Sequence, residues 1–171
     1  MGIRRPCLLL VTLLVPAVAH AHDHFADVYG APSHQNSSKL VGFHVTFSKT
    51  IPEPAGATTA VRRLSFLGDF SPHWSVDSSD KWRINLAAGV RYTFAKNPDQ
   101  KHLTFVHVLM GLSHVNTAGV GDTDPVVGFG GGYEYVFRDS PAGMGVRGQL
   151  DYIVRGGEVS PRVSLGIVLR K

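Results

Sequence analysis

The sequence predicts an all-β chain, an eight-stranded antiparallel up-and-down transmembrane β-barrel. Three observations carry that prediction. Trp82, Ile84, Leu86, Ala88, Val90, Tyr92 and Phe94 are apolar or aromatic, while Arg83, Asn85, Ala87, Gly89, Arg91 and Thr93 between them are charged, polar or small. A period of two is that of a strand, whose successive side chains point to opposite faces. Trp82–Ala95 is also longer than the 5–6 residues or so usual in soluble strands, and matches the roughly 9–11 that a tilted membrane strand needs. Finally, the chain after its first residues contains no run of about 18 apolar residues, so a membrane-crossing form must be a closed barrel in which every backbone group finds a partner. The competing reading is a soluble lipocalin-like barrel, which would bury the apolar set and turn Arg83 and Arg91 to water.

In chain order, Met1–Ala21 opens with Arg4 and Arg5, continues in an apolar run from Cys7 to Val15 and ends with small residues at Ala17, Ala19 and Ala21. That pattern is a secretory signal peptide, with cleavage expected after Ala21. The one cysteine, Cys7, falls inside it, so no disulfide is expected. Seventeen Lys and Arg against thirteen Asp and Glu give +4, of which Arg4 and Arg5 belong to the leader. So small an excess supplies no basic footprint for nucleic acid. Residues 22–171 are read as one barrel domain.

His22-Asp23-His24 follows. A histidine at the third mature position can wrap a square-planar Cu(II) or Ni(II) ion; the plainer reading is a solvated leader, and no metal site is assigned. Phe25–Pro32 is the weakest strand, because Pro32 is tolerated only at a strand end, and His34–Lys39 reads as a polar loop. In Leu40–Ser48, Val41, Phe43, Val45 and Phe47 alternate with Gly42, His44, Thr46 and Ser48. Ile51–Ala60 holds two prolines and reads as a connection. Arg63–Trp74 sets Leu64, Phe66, Phe70 and Trp74 against Arg63, Ser65, Asp69, Ser71 and His73, with Leu67 and Gly68 out of pattern.

Lys96–Lys101 is a tight turn. Leu103–Val115 carries Val106, Val108, Met110 and Leu112 on one face and Phe105, His107, Leu109, Gly111 and Ser113 on the other. Asn116–Asp124 reads as a Gly/Asp/Thr loop. Val126–Phe137 turns Val127, Phe129, Tyr133, Tyr135 and Phe137 outward, and Gly128, Gly130, Gly132 and Glu134 inward. After a turn at Arg138–Ala142, Met144–Ile153 sets Val146, Leu150 and Tyr152 against Arg147, Gln149 and Asp151. A loop at Arg155–Glu158 leads to Pro161–Arg170, where Val163, Leu165, Ile167 and Leu169 alternate with Arg162, Ser164, Gly166, Val168 and Arg170. Eight strands is an even number, as in single-chain bacterial barrels. With both termini at one end, Phe47, Tyr92, Phe94, Tyr133, Tyr135 and Phe137 gather at that end, and Trp74, Trp82 and Tyr152 at the other, as two aromatic girdles.

The inward charges are the candidate site. An eight-stranded barrel is only wide enough for side chains to fill it, and buried charges must pair. Antiparallel pairing about Arg138–Ala142 sets Glu134 opposite Arg147, and pairing about Arg155–Glu158 sets Asp151 near Arg162. Arg91 and Asp69 complete the ion-pair candidates. A line of such charges could instead mark an ion path, which would make the barrel a narrow pore for small solutes. Gly128-Phe129-Gly130-Gly131-Gly132 lacks the Lys-Ser/Thr and helix of a phosphate loop, and its glycines read as room for large neighbours. Gly111-Leu112-Ser113-His114-Val115 lies in a strand and lacks the last glycine of a nucleophile elbow. No catalytic residue and no cofactor are assigned.

On the Ala88-Gly89-Val90-Arg91-Tyr92-Thr93-Phe94 strand with its short turn, the Gly-rich 128–132 stretch and the closing Val163-Ser164-Leu165-Gly166-Ile167-Val168-Leu169-Arg170, the chain resembles the small outer-membrane β-barrel family of the eight-stranded OmpA/OmpX type. The resemblance spans the whole mature chain. It implies location in the cell outer membrane, a structural or surface-interaction role, contact with outer-membrane lipids, and a closing strand that resembles the signal read by the barrel-insertion machinery; no enzymatic activity is expected, because the sequence offers no nucleophile. An extracellular ligand is left unnamed. Lipid A deacylases of similar size use a His-x-Ser pair; His114-Val115-Asn116 here has asparagine in the serine position, which argues against the lipid-modifying alternative.

Overall fold

The computed structural model describes residues 26–35, 40–51, 62–94, 101–137 and 143–170, with the side chains of Ala26, Asp27, Pro32, Arg62 and Arg63 left aside. The expected signal peptide, His22-Asp23-His24, and the connections at 52–61, 95–100 and 138–142 lie outside the described residues. Eight strands follow one another: β1 (Ala26–Gln35), β2 (Leu40–Thr50), β3 (Arg62–Ser75), β4 (Lys81–Phe94), β5 (His102–Thr117), β6 (Val120–Val136), β7 (Gly145–Arg155) and β8 (Glu158–Arg170). Each pairs antiparallel with its successor, and β8 pairs with β1 to close the barrel.

The two faces of each strand are inverted relative to a soluble protein. On β4, Leu86, Val90 and Phe94 are 62, 42 and 49% exposed, whereas Arg83, Asn85 and Arg91 are 7, 2 and 4% exposed. The same holds on β8, where Val163, Leu165 and Ile167 face out and Arg162 and Ser164 are buried. A lipocalin-like barrel requires the opposite assignment, so that reading falls. The aromatic residues cluster at the two ends. Trp74 pairs across from Trp82 and lies 6.0 Å from Phe43, ring centre to ring centre, at one end. Tyr92 with Phe94 and Tyr135 with Phe137 make edge contacts at the other.

Three boundaries differ from the sequence reading. Asn116–Asp124 is not a loop: β5 and β6 run through it and turn on Ala118 and Gly119 alone, with Thr117 paired to Val120. Both turn residues have positive φ, 52° and 86°, which is the hairpin geometry whose twist matches that of the flanking strands. The Gly, Asp and Thr that read as loop are strand residues lifted clear of the apolar band. Likewise Arg155–Glu158 is a two-residue turn on Gly156 and Gly157, φ 55° and 85°, with Arg155 paired to Glu158, so β8 begins three residues earlier.

The third difference is β1, which continues past Pro32 to Gln35 rather than ending there. Pro32 is still paired with Phe43 of β2, but neither Ala31 nor Pro32 has a partner on β8. Proline has no N–H to donate, and the ladder lapses where that donor is missing. A second lapse has the same cause. Phe43 and His44 of β2 have no partner on β3, where Ser71 and Pro72 stand opposite. Gly42 lets β2 pass beside this point, since a Cβ there would run into the Pro72 carbonyl. Leu67, out of pattern in the sequence, points inward and is 5% exposed.

The inward glycines of β6 were read as room for large side chains, and Gly128 meets that description, with Ile153 and Leu109 as its neighbours. Gly132 adds a second reason. A Cβ on it would meet the Gly148 backbone as well as the Phe105 ring.

Candidate functional site

The interior is built from polar side chains in layers. At its centre Arg162, fully buried, comes from β8. The register puts it opposite Asp151 of β7, to whose Oδ2 it donates from Nε at 2.8 Å. It also reaches across the lumen to β3, donating from Nη1 to Asp69 Oδ1 at 3.1 Å and from Nη2 to Asp69 Oδ2 at 2.9 Å. Nη1 donates to Ser71 Oγ at 2.7 Å as well. A guanidinium offers five N–H donors in one plane, which is why one arginine can bind two carboxylates and a hydroxyl at once.

Each carboxylate has further partners. Asp69 Oδ2 lies 2.5 Å from His44 Nε2. Asp151 accepts from Gln149 Nε2 at 3.0 and 2.9 Å. His107 Nε2 is 2.9 Å from Asp151 Oδ1 but off the direction a hydrogen bond needs, so that contact is one of proximity. Charges taken this far from water are tolerable only when the pairing is this complete.

A second cluster lies nearer the chain termini. Arg147 of β7 faces Glu134 of β6 in the register and donates to its Oε2 from Nε and Nη2 at 3.0 and 2.8 Å. Arg170 Nη2 approaches Glu134 Oε1 at 2.5 Å. The Arg147 guanidinium is sandwiched between two rings, 4.9 Å from the centre of Tyr29 and 5.1 Å from that of Phe105. Of the six ion-pair candidates, Asp69, Asp151 and Arg162 meet in the first cluster and Glu134 and Arg147 in the second. Arg91 stands apart from the Arg162 cluster, donating to Ser48 Oγ at 2.7 Å and lying over Phe105.

The period of two finds inward residues but not their heights, so it missed the partners set by barrel geometry: His44, His107, Ser71 and Gln149. One of these, His44, belongs to an arrangement with chemical overtones. Ser164 Oγ is 3.3 Å from His44 Nδ1, and His44 Nε2 in turn meets Asp69. That is the order of groups in a nucleophile–base–acid relay. Here Ser164, His44 and Asp69 are 3, 0 and 2% exposed, and the Tyr29 hydroxyl donates to the same Ser164 oxygen at 3.1 Å. A substrate carbonyl must come within about 3 Å of the nucleophile, and at Ser164 that space is filled. His114, from the elbow-like stretch, lies elsewhere, 5.1 Å from the Trp82 ring with Nδ1 2.7 Å from Thr123 Oγ1.

An apolar outside, aromatic ends and a charge-paired, filled inside together define a small membrane-type β-barrel. The fold is that of the eight-stranded outer-membrane barrels. The N-terminal β-barrel domain of Pseudomonas aeruginosa OprF superposes with a TM-score of 0.59 at 13% identity, covering 87% of this chain and 100% of that one. Ail, the attachment invasion locus protein of Yersinia pestis, gives 0.55 at 11%, covering 86 and 97%. The outer membrane enzyme PagL gives 0.52 at 15%, covering 83 and 97%. No family model and no curated protein matches the chain. At such identities the likeness shows the fold alone.

Proposed function

We propose that the protein is an outer-membrane barrel with a structural or surface-interaction role, whose interior is a packed core and not a pathway. The observation that carries this reading is Arg162, fully buried and tied to both Asp69 and Asp151 at the middle of the lumen. An ion passing that level would have to break the pairing of charges that are almost wholly buried. The signal-like Met1–Ala21 and the outward apolar faces support export and contact with outer-membrane lipids, with insertion by the barrel-insertion machinery through the closing strand. At the end away from the termini, Val76 after β3 and Val120 and Val159 near the starts of β6 and β8 are 63, 75 and 56% exposed, and they offer an apolar rim to a partner outside the cell. Ail, with the same fold, is named for attachment and invasion.

Envelope fractionation combined with planar-bilayer recording of the refolded protein tests the reading. It expects the protein with the outer membrane and no unitary conductance. Discrete conductance steps would favour the narrow pore. The enzyme reading is suggested by the order Ser164–His44–Asp69 and opposed by the burial of Ser164. Ester hydrolysis by the folded barrel that disappears in Ser164→Ala would establish it.

A further inference from the structure

Just inside the end remote from the termini, four inward side chains carry polar atoms that find no hydrogen-bond partner among the described residues. Arg83 and Asn85 come from β4, Ser113 from β5 and Gln35 from β1, and they are 7, 2, 0 and 0% exposed. The register sets Asn85 opposite Ser113, and Arg83 lies two residues further along the same face. Asn85 Nδ2 donates to Gln35 Oε1 and to Ser71 Oγ, both at 3.2 Å, which ties Gln35 to the same layer. Left over are Arg83 Nε, Gln35 Nε2, Asn85 Oδ1 and Ser113 Oγ, all buried without a hydrogen-bond partner.

Such groups are uncommon in folded proteins, because each has given up its water for nothing. Arg83 is the most telling of them. The other buried arginines have their partners: Arg162 has two carboxylates, Arg147 has Glu134, and Arg91 has Ser48. Arg83 forms no salt bridge among the described residues, and its Nε is unsatisfied. The rim above offers it one favourable charge, Glu158, at more than salt-bridge distance, set against the repulsion of Arg155. Arg155 there holds Asp122 and Asp124 at 2.8 Å each, and Glu158 is exposed to solvent.

We propose that Arg83, Gln35 and Ser113 form a binding site for a small oxyanion, a carboxylate or a phosphate, admitted from the end of the barrel beside the turn at 76–80. The guanidinium fork fits a carboxylate or phosphate edge. The Ser113 hydroxyl on the adjacent β5 and the Gln35 amide from β1 across the lumen supply two more donors, and Asn85 Oδ1 accepts from a hydroxyl or ammonium on the same ligand. Because all four side chains point into the lumen, the ligand is a free solute and not the headgroup of a lipid packed against the outside. Arg83 is the most accessible of the four, and Gln35 and Ser113 are fully covered, so the ligand reaches them only by displacing the side chains that cover them; the Arg162 cluster beneath makes this a terminal site and not a stage in a pathway.

Equilibrium dialysis of the refolded mature protein in detergent micelles against labelled phosphate and labelled acetate tests this. One saturable site per barrel is expected for at least one probe. Its affinity should fall tenfold or more in Arg83→Gln, fall less in Ser113→Ala, and hold in Lys49→Gln, an exposed change of the same charge. A difference in migration between unheated and boiled samples in SDS gels verifies folding. Saturation by phosphate alone assigns a tetrahedral dianion, and saturation by acetate alone a carboxylate. Gln35→Leu, which keeps the charge, provides a second variant that should also weaken binding. Absence of saturable uptake by the folded wild type, or equal uptake in Arg83→Gln and Lys49→Gln, overturns the proposal.

Discussion

Arg147 meets Glu134 through a single carboxylate oxygen, Oε2, to which both Nε and Nη2 donate, so that Oε1 is left for Arg170. Removing one partner of a buried pair costs about 3–5 kcal/mol, since the other charge stays buried uncompensated. Glu134→Gln and Arg147→Met should therefore each destabilise strongly, and the double variant by much less than their sum. Urea unfolding from micelles measures the coupling. A value below about 0.5 kcal/mol would mean that water hydrates the two charges separately.

Arg162 should be harder to lose, because it compensates two carboxylates at once. Arg162→Met is expected to abolish refolding, measured as the heat-modifiable fraction on SDS gels. Adding Asp69→Asn and Asp151→Asn should restore a large part of it. If the single variant refolds normally, the centre of the barrel is wet.

The outward face is tested by depth. Leu86→Arg and Leu165→Arg should each cost roughly 2–4 kcal/mol near the bilayer midplane. Ala87→Arg, one residue away, should act through crowding of the interior instead. Equal insensitivity at Leu86 and Leu165 would reverse the assignment of faces.

The Ala118-Gly119 turn offers a gain. Ala118 holds φ 52°, a left-handed conformation that costs a residue with a Cβ about 1–2 kcal/mol. Ala118→Gly should raise the urea midpoint, and Ala118→Val, whose β-branch worsens the clash, should lower it. The measurement is the same unfolding curve.

The alternation made the fold legible because a membrane barrel reverses the usual inside and outside on every strand. Trp82–Phe94 alone shows the whole principle. Glu134 and Arg147 share a hairpin, so counting outward from the turn is enough to set them opposite each other. Arg162 and Asp69 share none. Their meeting depends on how far the strands are staggered around the barrel, which no local pattern records, and the same holds for His44 and His107. Composition misled at 116–124, where polar residues mark strands that rise beyond the apolar band. Proline misled at position 32, where the sequence implies a strand end and the protein accepts a missing rung.

That missing rung has a counterpart. Ala31 and Pro32 lack partners on β8, and the residues beside them on β2, His44 and Phe43, lack partners on β3. The two lapses thus fall in the same two rows, one on each flank of the β1–β2 hairpin. The hairpin is thus fastened to its neighbours near both ends but not at those two rows, where opening should be easiest. Deuterium should enter the barrel first through the amides bordering those rows, well ahead of the continuous β4–β5 and β5–β6 ladders.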